Sequence, residues 1–212
     1  MSDRTTLRQV SNTDVFLWYS EISPSKTVEV VNYLKAQADG GNQVFYQIYS
    51  DEEIAANPSK ADTGIFFLRG TPGARYAVVN AGGGFAYVAA MADSFPQALE
   101  ISRHGYNAFV LIYRPDDAYN DLGRAIAYIN DHASELDVDP NGYSLWGGSA
   151  GARMAASLGN RSNLRWVTGR DDIPPASAVI TQYTGYDAVS ADDAPTFACV
   201  GTRDRIASWR TM

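Results

Sequence analysis

The chain has 212 residues, of which 45% are hydrophobic and 19% are charged, so it can bury one sizeable core. Its net charge of −7 at pH 7 argues against nucleic acid as a partner and disfavours an anionic membrane surface. The single cysteine, Cys199, excludes a disulfide framework within the chain, and with only two histidines it argues against a Cys/His zinc site.

A helix is predicted near the N-terminus. Ser23 can cap its start, Pro24 suits its first turn, and Gly40–Gly41 end it. Four apolar residues at helical spacing are expected on its buried face: Val28, Val31, Leu34 and Ala38. Two strands are predicted next, at 43–50 and 64–70, with a polar stretch between them.

From Tyr76 onward, predicted strands alternate with predicted helices. The strands cover residues 76–80, 106–114, 142–148, 176–184 and 196–202, and the helices cover residues 91–105, 119–136 and 149–159. Such alternation is typical of right-handed βαβ units. The sequence therefore predicts an α/β fold with a mostly parallel central sheet and helices on both faces. We expect a single domain over residues 1–212, with an N-terminal extension that contains a helix (1–42) and a core (43–212).

A serine stands at the sharp turn between a predicted strand and a predicted helix, in the stretch Gly147-Gly148-Ser149-Ala150-Gly151. In this context the pattern G-x-S-x-G lets the backbone pack closely around a strained serine whose hydroxyl is exposed, as a nucleophile requires. The helix that follows directs the positive end of its dipole at the site. A glycine-rich turn with Ser149 as a helix N-cap is the alternative that the pattern leaves open.

Two further segments follow predicted strands, at the edge where open parallel sheets bind ligands. The glycines at 82–84 follow the strand at 76–80, and their N–H groups can converge on an alkoxide. A phosphate loop is disfavoured because neither G-x-G-x-x-G nor G-K-[ST] spacing is present. Asp204 follows the last strand and can accept the Nδ1–H of a histidine base. The alternative for Asp204 is a loop aspartate paired with Arg203 or Arg205.

The chain resembles the α/β-hydrolase superfamily and, within it, the bacterial acetyl-esterase and carbohydrate-esterase-like serine hydrolases. The segments that carry the likeness are NAGGGFAYV, HGYNAFVLIYR, DLGRAIAYI, GGSAGARMA and APTFACVGTRD, from about residue 43 to the end. The resemblance implies that Ser149 is the nucleophile and that Asp204 orients the base. It also implies an oxyanion hole made by three backbone N–H groups, those of Gly83, Gly84 and Ala150. Ala81 replaces the histidine usual in that loop, a change that backbone donors tolerate.

A serine nucleophile needs a general base, and neither histidine of the chain stands at the expected place. His104 and His132 both precede Ser149, whereas the resemblance implies a histidine after the final strand. We expect His104 to cap its helix or contact the helix dipole, and His132 to be solvated. The expectation is therefore a fragment that lacks the last strand and helix of the fold. It is either a truncated or cleaved product whose remainder was removed, or a chain completed by a second polypeptide.

Two other residues are assigned to the scaffold. Cys199 lies in the apolar run TFACVG and is expected in the core. Arg114 matches a structural arginine in many such esterases, so the resemblance implies a structural role for it.

The expected function is hydrolysis of small carboxylic esters, with acetyl and other short acyl groups implied by the resemblance alone. Tyr183 and Tyr186 are candidate substrate-binding residues. A hydrolase-fold protein that binds a ligand without catalysis is the alternative, and a peptidase or thioesterase would differ only in its substrate pocket. No metal or cofactor is predicted. The sequence has no run of 18 apolar residues and no signal-peptide pattern, which favours a cytoplasmic location.

Overall fold

The structure is a computed structural model that describes residues 23–211, so the first 22 residues of the predicted N-terminal extension lie outside the described part. The strands of this part are β1 (Phe45–Gln47), β2 (Gly64–Leu68), β3 (Arg75–Asn80), β4 (Asn107–Ile112), β5 (Asp139–Gly148), β6 (Ala178–Gln182) and β7 (Thr196–Cys199). Its α-helices are α1 (Pro24–Asp39), α2 (Asp51–Ala56), α3 (Ser94–Arg103), α4 (Ala118–Asp131), α5 (Ala133–Leu136), α6 (Ala150–Gly159) and α7 (Arg161–Thr168). Short 3-10 helices lie at Pro58–Lys60 and Trp209–Thr211.

The strands form one sheet in the order β1-β2-β4-β3-β5-β6-β7. The pairings of β1 with β2 and of β2 with β4 are antiparallel, and all the others are parallel. The carboxyl ends of the five strands from β4 to β7 therefore meet at one edge of the sheet. This architecture confirms the predicted α/β fold with a mostly parallel sheet.

Helices cover both faces of the sheet because successive strand side chains point to opposite sides. Val78 belongs to a buried cluster that includes Ile126 of α4 and Leu158 of α6. Its neighbour Val79 belongs to a second cluster, which contains Leu99 of α3 and Val30 of α1. Strands buried on both faces read as continuous apolar runs, which is why β3 and β4 were easy to predict.

The first helix begins and ends as predicted, but its buried face is different. Ser23 Oγ accepts a hydrogen bond from the N–H of Lys26 at 3.4 Å, and the helix ends before Gly40. Val30 is fully buried, whereas Val28 is 47% exposed and Ala38 is exposed as well, so the expected face is wrong at those two positions. Apolar residues at 28, 30 and 31 allow more than one helical face, and packing of α1 on α3 selects the face of Val30.

Three local features differ from the sequence prediction. The helix α2 lies in the polar stretch after β1, and the helix α7 follows α6; the sequence predicted neither of them. The helix expected at 119–136 is divided at His132 into α4 and α5. Cys199 is exposed, not in the core, because β7 is the edge strand of the sheet.

None of the described helices has the length and apolar composition that a membrane crossing needs.

Arg114 is buried after β4 and ties the loop before α4 to the scaffold. Its Nη2 lies 2.6 Å from Oδ1 of Asp121, which is fully buried, and 2.6 Å from Oδ2 of Asp117. The hydroxyl of Tyr49 donates to the same Asp121 oxygen at 2.5 Å. Each buried charge therefore has a partner.

Candidate active site

Ser149 occupies the turn between the end of β5 and the start of α6. Its backbone has φ 51° and ψ −115°, a conformation that L-residues rarely adopt and that costs about 1–3 kcal/mol. Its N–H donates to the carbonyl of Gln182 at 2.9 Å, which fixes the turn to the end of β6. The serine stands at the N-cap position, but its side chain makes no capping hydrogen bond. The structure therefore does not support the alternative in which the Ser149 hydroxyl caps the helix.

The two glycines that flank the serine are needed because backbones approach closely there. A Cβ on Gly147 would lie 2.3 Å from the carbonyl carbon of Gly151, and a Cβ on Gly151 would lie 2.1 Å from the carbonyl oxygen of Asn80. These are backbone atoms that cannot rotate away. The start of α6 thus packs directly on the ends of β3 and β5, as the G-x-S-x-G pattern predicts.

The glycine loop after β3 lies beside the serine turn. Gly83, Gly84 and Phe85 have φ values of 133°, 62° and 57° in succession. A Cβ on Gly82 would stand 3.1 Å from the Cβ of Ser149, so the loop lies close against the Ser149 side chain. The N–H of Ala150 lies in the first turn of α6, where helix geometry provides no intrahelical acceptor.

A cavity of about 590 Å³ joins these segments at the carboxyl ends of the parallel strands. Its lining includes the predicted residues Gly83, Gly84, Ser149, Tyr183 and Asp204. Three alanines, Ala86, Ala89 and Ala92, form part of its wall. The cavity therefore brings together the ends of β3, β5, β6 and β7.

Asp204 lies on the wall of this cavity, in the loop after β7. Its Oδ1 accepts hydrogen bonds from the N–H groups of Ile206 at 2.7 Å and Ala207 at 2.8 Å. Among the ion pairs of the described residues, none joins Asp204 to Arg203 or Arg205, so the loop-pair alternative finds no support. The carboxylate is held by backbone and partly exposed.

The two candidate tyrosines lie in different surroundings. Tyr183 has φ 37° and lines the cavity, and burial of its hydroxyl together with the neighbouring Asp93 raises the pKa of that hydroxyl. Tyr186 is not part of the cavity lining, and burial raises its pKa as well. The groups that influence Tyr186 electrostatically include Tyr119 and Arg153. The structure thus brings Tyr183, but not Tyr186, to the wall beside Ser149.

Asp93 is a residue at this site that sequence reasoning missed. Its Oδ2 accepts a hydrogen bond from the N–H of Gly82 at 2.7 Å, and its side chain also bonds to Tyr183. Burial raises the pKa of Asp93, and the bonds from Gly82 and Tyr183 oppose that rise. In the sequence Asp93 appears only as an acidic residue before a helix, so no local signal separates it from an ordinary N-cap.

Both histidines lie at helix ends and outside this cavity. His104 ends α3, and its Nδ1 is 2.8 Å from the carbonyl oxygen of Glu100, which agrees with the expected capping contact. His132 ends α4, where its ring stacks on Tyr128 at 4.2 Å and its Nδ1 is 2.9 Å from the carbonyl of that tyrosine. His132 is therefore packed rather than fully solvated. Neither histidine lines the cavity that holds Ser149.

The part of the chain described by the structure contains no group of three or more His, Cys, Asp or Glu side chains arranged to hold a metal ion.

A family model described as BD-FAE matches residues 74–174, which run from β3 to the segment before β6 and include the glycine loop and Ser149. No curated protein matches the chain.

Solved structures with similar folds come from several bacteria. The acetyl ester-xyloside bifunctional hydrolase of Caldicellulosiruptor lactoaceticus superposes with a TM-score of 0.64 at 19% identity, over 79% of this chain and 77% of that one. Apo esterase 2 of Thermogutta terrifontis gives 0.64 at 20% identity, over 79% and 74%. A lipase/esterase from Lactobacillus plantarum gives 0.59 at 20% identity, over 70% and 78%. At this identity the likeness establishes a shared fold.

Proposed function

We propose that this chain, an α/β-hydrolase by fold, is a serine hydrolase of carboxylic esters. The observation that carries the proposal is the convergence of Ser149, the glycine loop and Asp204 on one cavity. The three come from different strand ends, more than 50 residues apart in sequence in each case. The similar solved structures named above include esterases, which supports the same reaction class.

In the proposed reaction Ser149 Oγ attacks the carbonyl carbon of the ester, and the negative charge that develops on the carbonyl oxygen is stabilised by backbone N–H groups. Those of Gly83, Gly84 and Ala150 are the proposed donors. The N–H of Gly82 is already bonded to Asp93 and does not take part. The positive end of the α6 dipole favours the same charge. Collapse of the tetrahedral intermediate breaks the ester C–O bond, and the alcohol leaves with the proton that the base took from Ser149 Oγ. Water then attacks the acyl-enzyme and gives a proton to the base, and the carboxylic acid is released as Ser149 Oγ recovers that proton.

The proton of Ser149 needs a base, which we propose to be a histidine oriented by Asp204. The sequence has two histidines, and the structure places both outside the cavity. The proposal therefore includes a histidine from outside these 212 residues, for example one on a second polypeptide that binds beside Asp204. In its absence we expect the 212-residue chain to turn over esters very slowly.

We propose acetyl and other short acyl groups as the preferred substrates. The small side chains of Ala86, Ala89 and Ala92 line the cavity near the glycine loop and leave room for a short acyl chain. One of the similar structures is named as an acetyl ester-xyloside hydrolase, which points in the same direction. The location of both histidines outside the cavity favours a second candidate, a hydrolase-fold protein that binds a ligand without catalysis.

Covalent labelling by a fluorophosphonate probe separates the two functions. Added imidazole can serve as a soluble base in place of the histidine, so labelling is measured with and without it. We expect one probe per chain on Ser149, faster with imidazole, and no labelling of Ser149→Ala. Ser157→Ala, in the same helix α6, is the control and should label like the wild type. Absence of labelling in the presence of imidazole, with the protein folded, would favour the ligand-binding protein.

A further inference from the structure

We infer that Asp93 is a positioning residue that anchors the glycine loop in the geometry required for an oxyanion hole. This inference rests on the proposed function. Asp93 does not touch the reacting atoms in this scheme, and it acts through the backbone of Gly82. Its carboxylate receives hydrogen bonds from three parts of the chain: the loop after β3, helix α3 and the end of β6.

The hydrogen-bond distances show how firmly this carboxylate is held. Gly82 N–H donates to Oδ2 at 2.7 Å, and Gln97 Nε2 donates to Oδ1 at 3.0 Å. The same Gln97 nitrogen lies 3.0 Å from Oε1 of Gln182, the last residue of β6. Because the N–H of Ser149 donates to the carbonyl of Gln182, the network links the glycine loop to the nucleophile turn.

Space around the carboxylate is also limited. A Cβ on Gly148 would lie 2.2 Å from the hydroxyl of Tyr183 and 2.7 Å from Oδ2 of Asp93. Glycine at 148 therefore leaves room for the Asp93–Tyr183 pair directly behind Ser149. Tyr183 reaches this position with φ 37°, a strained value for a tyrosine. The backbone at two positions is thus adapted to this one contact.

The direction of the loop N–H groups follows from peptide planarity, because C=O and N–H point in opposite directions across a trans peptide. The carbonyl of Gly82 accepts from the N–H of Ala89 at 3.0 Å, and the carbonyl of Gly83 accepts from the N–H of Ala86 at 3.0 Å. The N–H groups of Gly83 and Gly84 are therefore turned away from those bonds. The bond from Gly82 to Asp93 fixes where this set of peptides lies relative to Ser149.

A loop with three consecutive positive φ values needs such an anchor, since other backbone conformations are accessible to its glycines. Without an acceptor at Asp93, the buried N–H of Gly82 would be unsatisfied and the loop could relax to satisfy it. A displacement of about 1 Å in a catalytic group can reduce a rate by about 100-fold. We therefore expect loss of the acceptor to lower reactivity strongly.

The Asp93 carboxyl group also makes the stability of the fold depend on pH. Burial raises the pKa of Asp93 above that of the unfolded chain, so its contribution to stability is full below the unfolded pKa and is lost as pH rises through the folded pKa. Among the described residues, the titratable groups that line the cavity with it are Tyr87, Tyr183 and Asp204, and Tyr113 after β4 interacts with it electrostatically.

The test compares Asp93→Ala and Asp93→Asn with the wild type, using fluorophosphonate labelling with imidazole. Asparagine keeps an acceptor oxygen for Gly82, and its NH₂ replaces the oxygen that accepts from Gln97 Nε2. The Gln97 amide can flip to present Oε1 to this NH₂, since that oxygen is buried without a partner among the described residues. We expect the maximal labelling rate to fall about 100-fold in Asp93→Ala and to be largely restored in Asp93→Asn, with little change in the half-saturating probe concentration. Asp187→Ala, which removes an exposed carboxylate from the loop between β6 and β7, is the control.

Two readouts do not depend on catalysis. In ¹H–¹⁵N spectra the Gly82 amide should be shifted downfield and protected from exchange in the wild type and Asp93→Asn, and both features should be lost in Asp93→Ala. Urea unfolding should show Asp93→Asn no less stable than the wild type at pH 7, with its relative advantage smaller in acid. Asp93→Ser, which withdraws the carboxylate but retains a short polar side chain, replaces Asp93→Ala if that variant does not fold.

The outcomes distinguish a failure of the proposed function from a failure of the anchoring role of Asp93. If the wild type does not label but the Gly82 signals behave as expected, the proposed function fails and the anchoring role of Asp93 stands. If the wild type labels and Asp93→Ala labels equally fast, the role of Asp93 is refuted and the function stands. Equal loss of labelling and stability in the alanine and asparagine variants would show that Asp93 serves only the fold.

Discussion

Replacing Gly151 with alanine is expected to destabilise the protein because the start of α6 has no room for a methyl group. The added Cβ would lie 2.1 Å from the carbonyl oxygen of Asn80, 2.5 Å from its carbonyl carbon and 2.7 Å from the carbonyl oxygen of Ala81. All three atoms belong to the backbone at the end of β3, a central strand paired on both sides. Relief of the clash therefore requires α6 to move away from the sheet.

The magnitude follows from two opposing effects. Overpacking of a well-packed interior typically costs about 1–3 kcal/mol, and a clash with fixed backbone belongs at the upper end of that range. Alanine gains about 1 kcal/mol over glycine in a helix. The net loss is thus about 2 kcal/mol. For a chain of this size that lowers Tm by about 4–8 °C.

Urea unfolding followed by tryptophan fluorescence, with thermal unfolding by circular dichroism, measures the effect. Gly201→Ala is a matched control, because the nearest atom to its added Cβ is 4.0 Å away. It should stay within about 0.5 kcal/mol of the wild type. Equal stability of Gly151→Ala and Gly201→Ala would show that the start of α6 can accommodate the methyl group. A loss of stability with an unchanged m-value would support the predicted clash.

Two further predictions concern the scaffold and use the same unfolding assay. Asp121→Ala should cost about 3–5 kcal/mol because it leaves the buried Arg114 guanidinium without its main partner, and replacing Arg114 as well, by methionine, should recover part of that loss. No recovery in the double variant would contradict the explanation. Ser50→Ala should cost about 1 kcal/mol, because Ser50 and Glu53 form a reciprocal capping box at the start of α2. A change indistinguishable from zero would show that α2 contributes little to the cooperative fold.

The elements that sequence patterns predicted best are those whose burial is nearly uniform. In β3 and β4 almost every residue is buried on one face or the other, so a continuous apolar run with a turn after it was sufficient evidence. The helix α2 was missed because its residues are exposed or partly exposed and it has no apolar face. Its one local signal was the capping box, Ser50 followed three residues later by Glu53.

Errors in burial arose where a residue's neighbours come from distant parts of the chain. Cys199 lies in an apolar run, yet β7 is an edge strand, and nothing local in TFACVG distinguishes an edge strand from a central one. Val28 and Val30 lie on different faces of one helix, and the position of α3 decided between them. Strand order and helix docking are set by the summed packing of the whole core, which a window of residues does not contain.

The sequence by itself determined the turn at Ser149, because its glycines are required by backbone contacts that G-x-S-x-G directly encodes. It also identified the glycine loop and Asp204 by their positions after strands. Only the tertiary structure decided that Asp93 bonds to that loop and that Tyr183, rather than Tyr186, faces the cavity. The physical reason is that a side chain's partner is set by where separate strand ends and helices meet in space, and that arrangement depends on non-local packing.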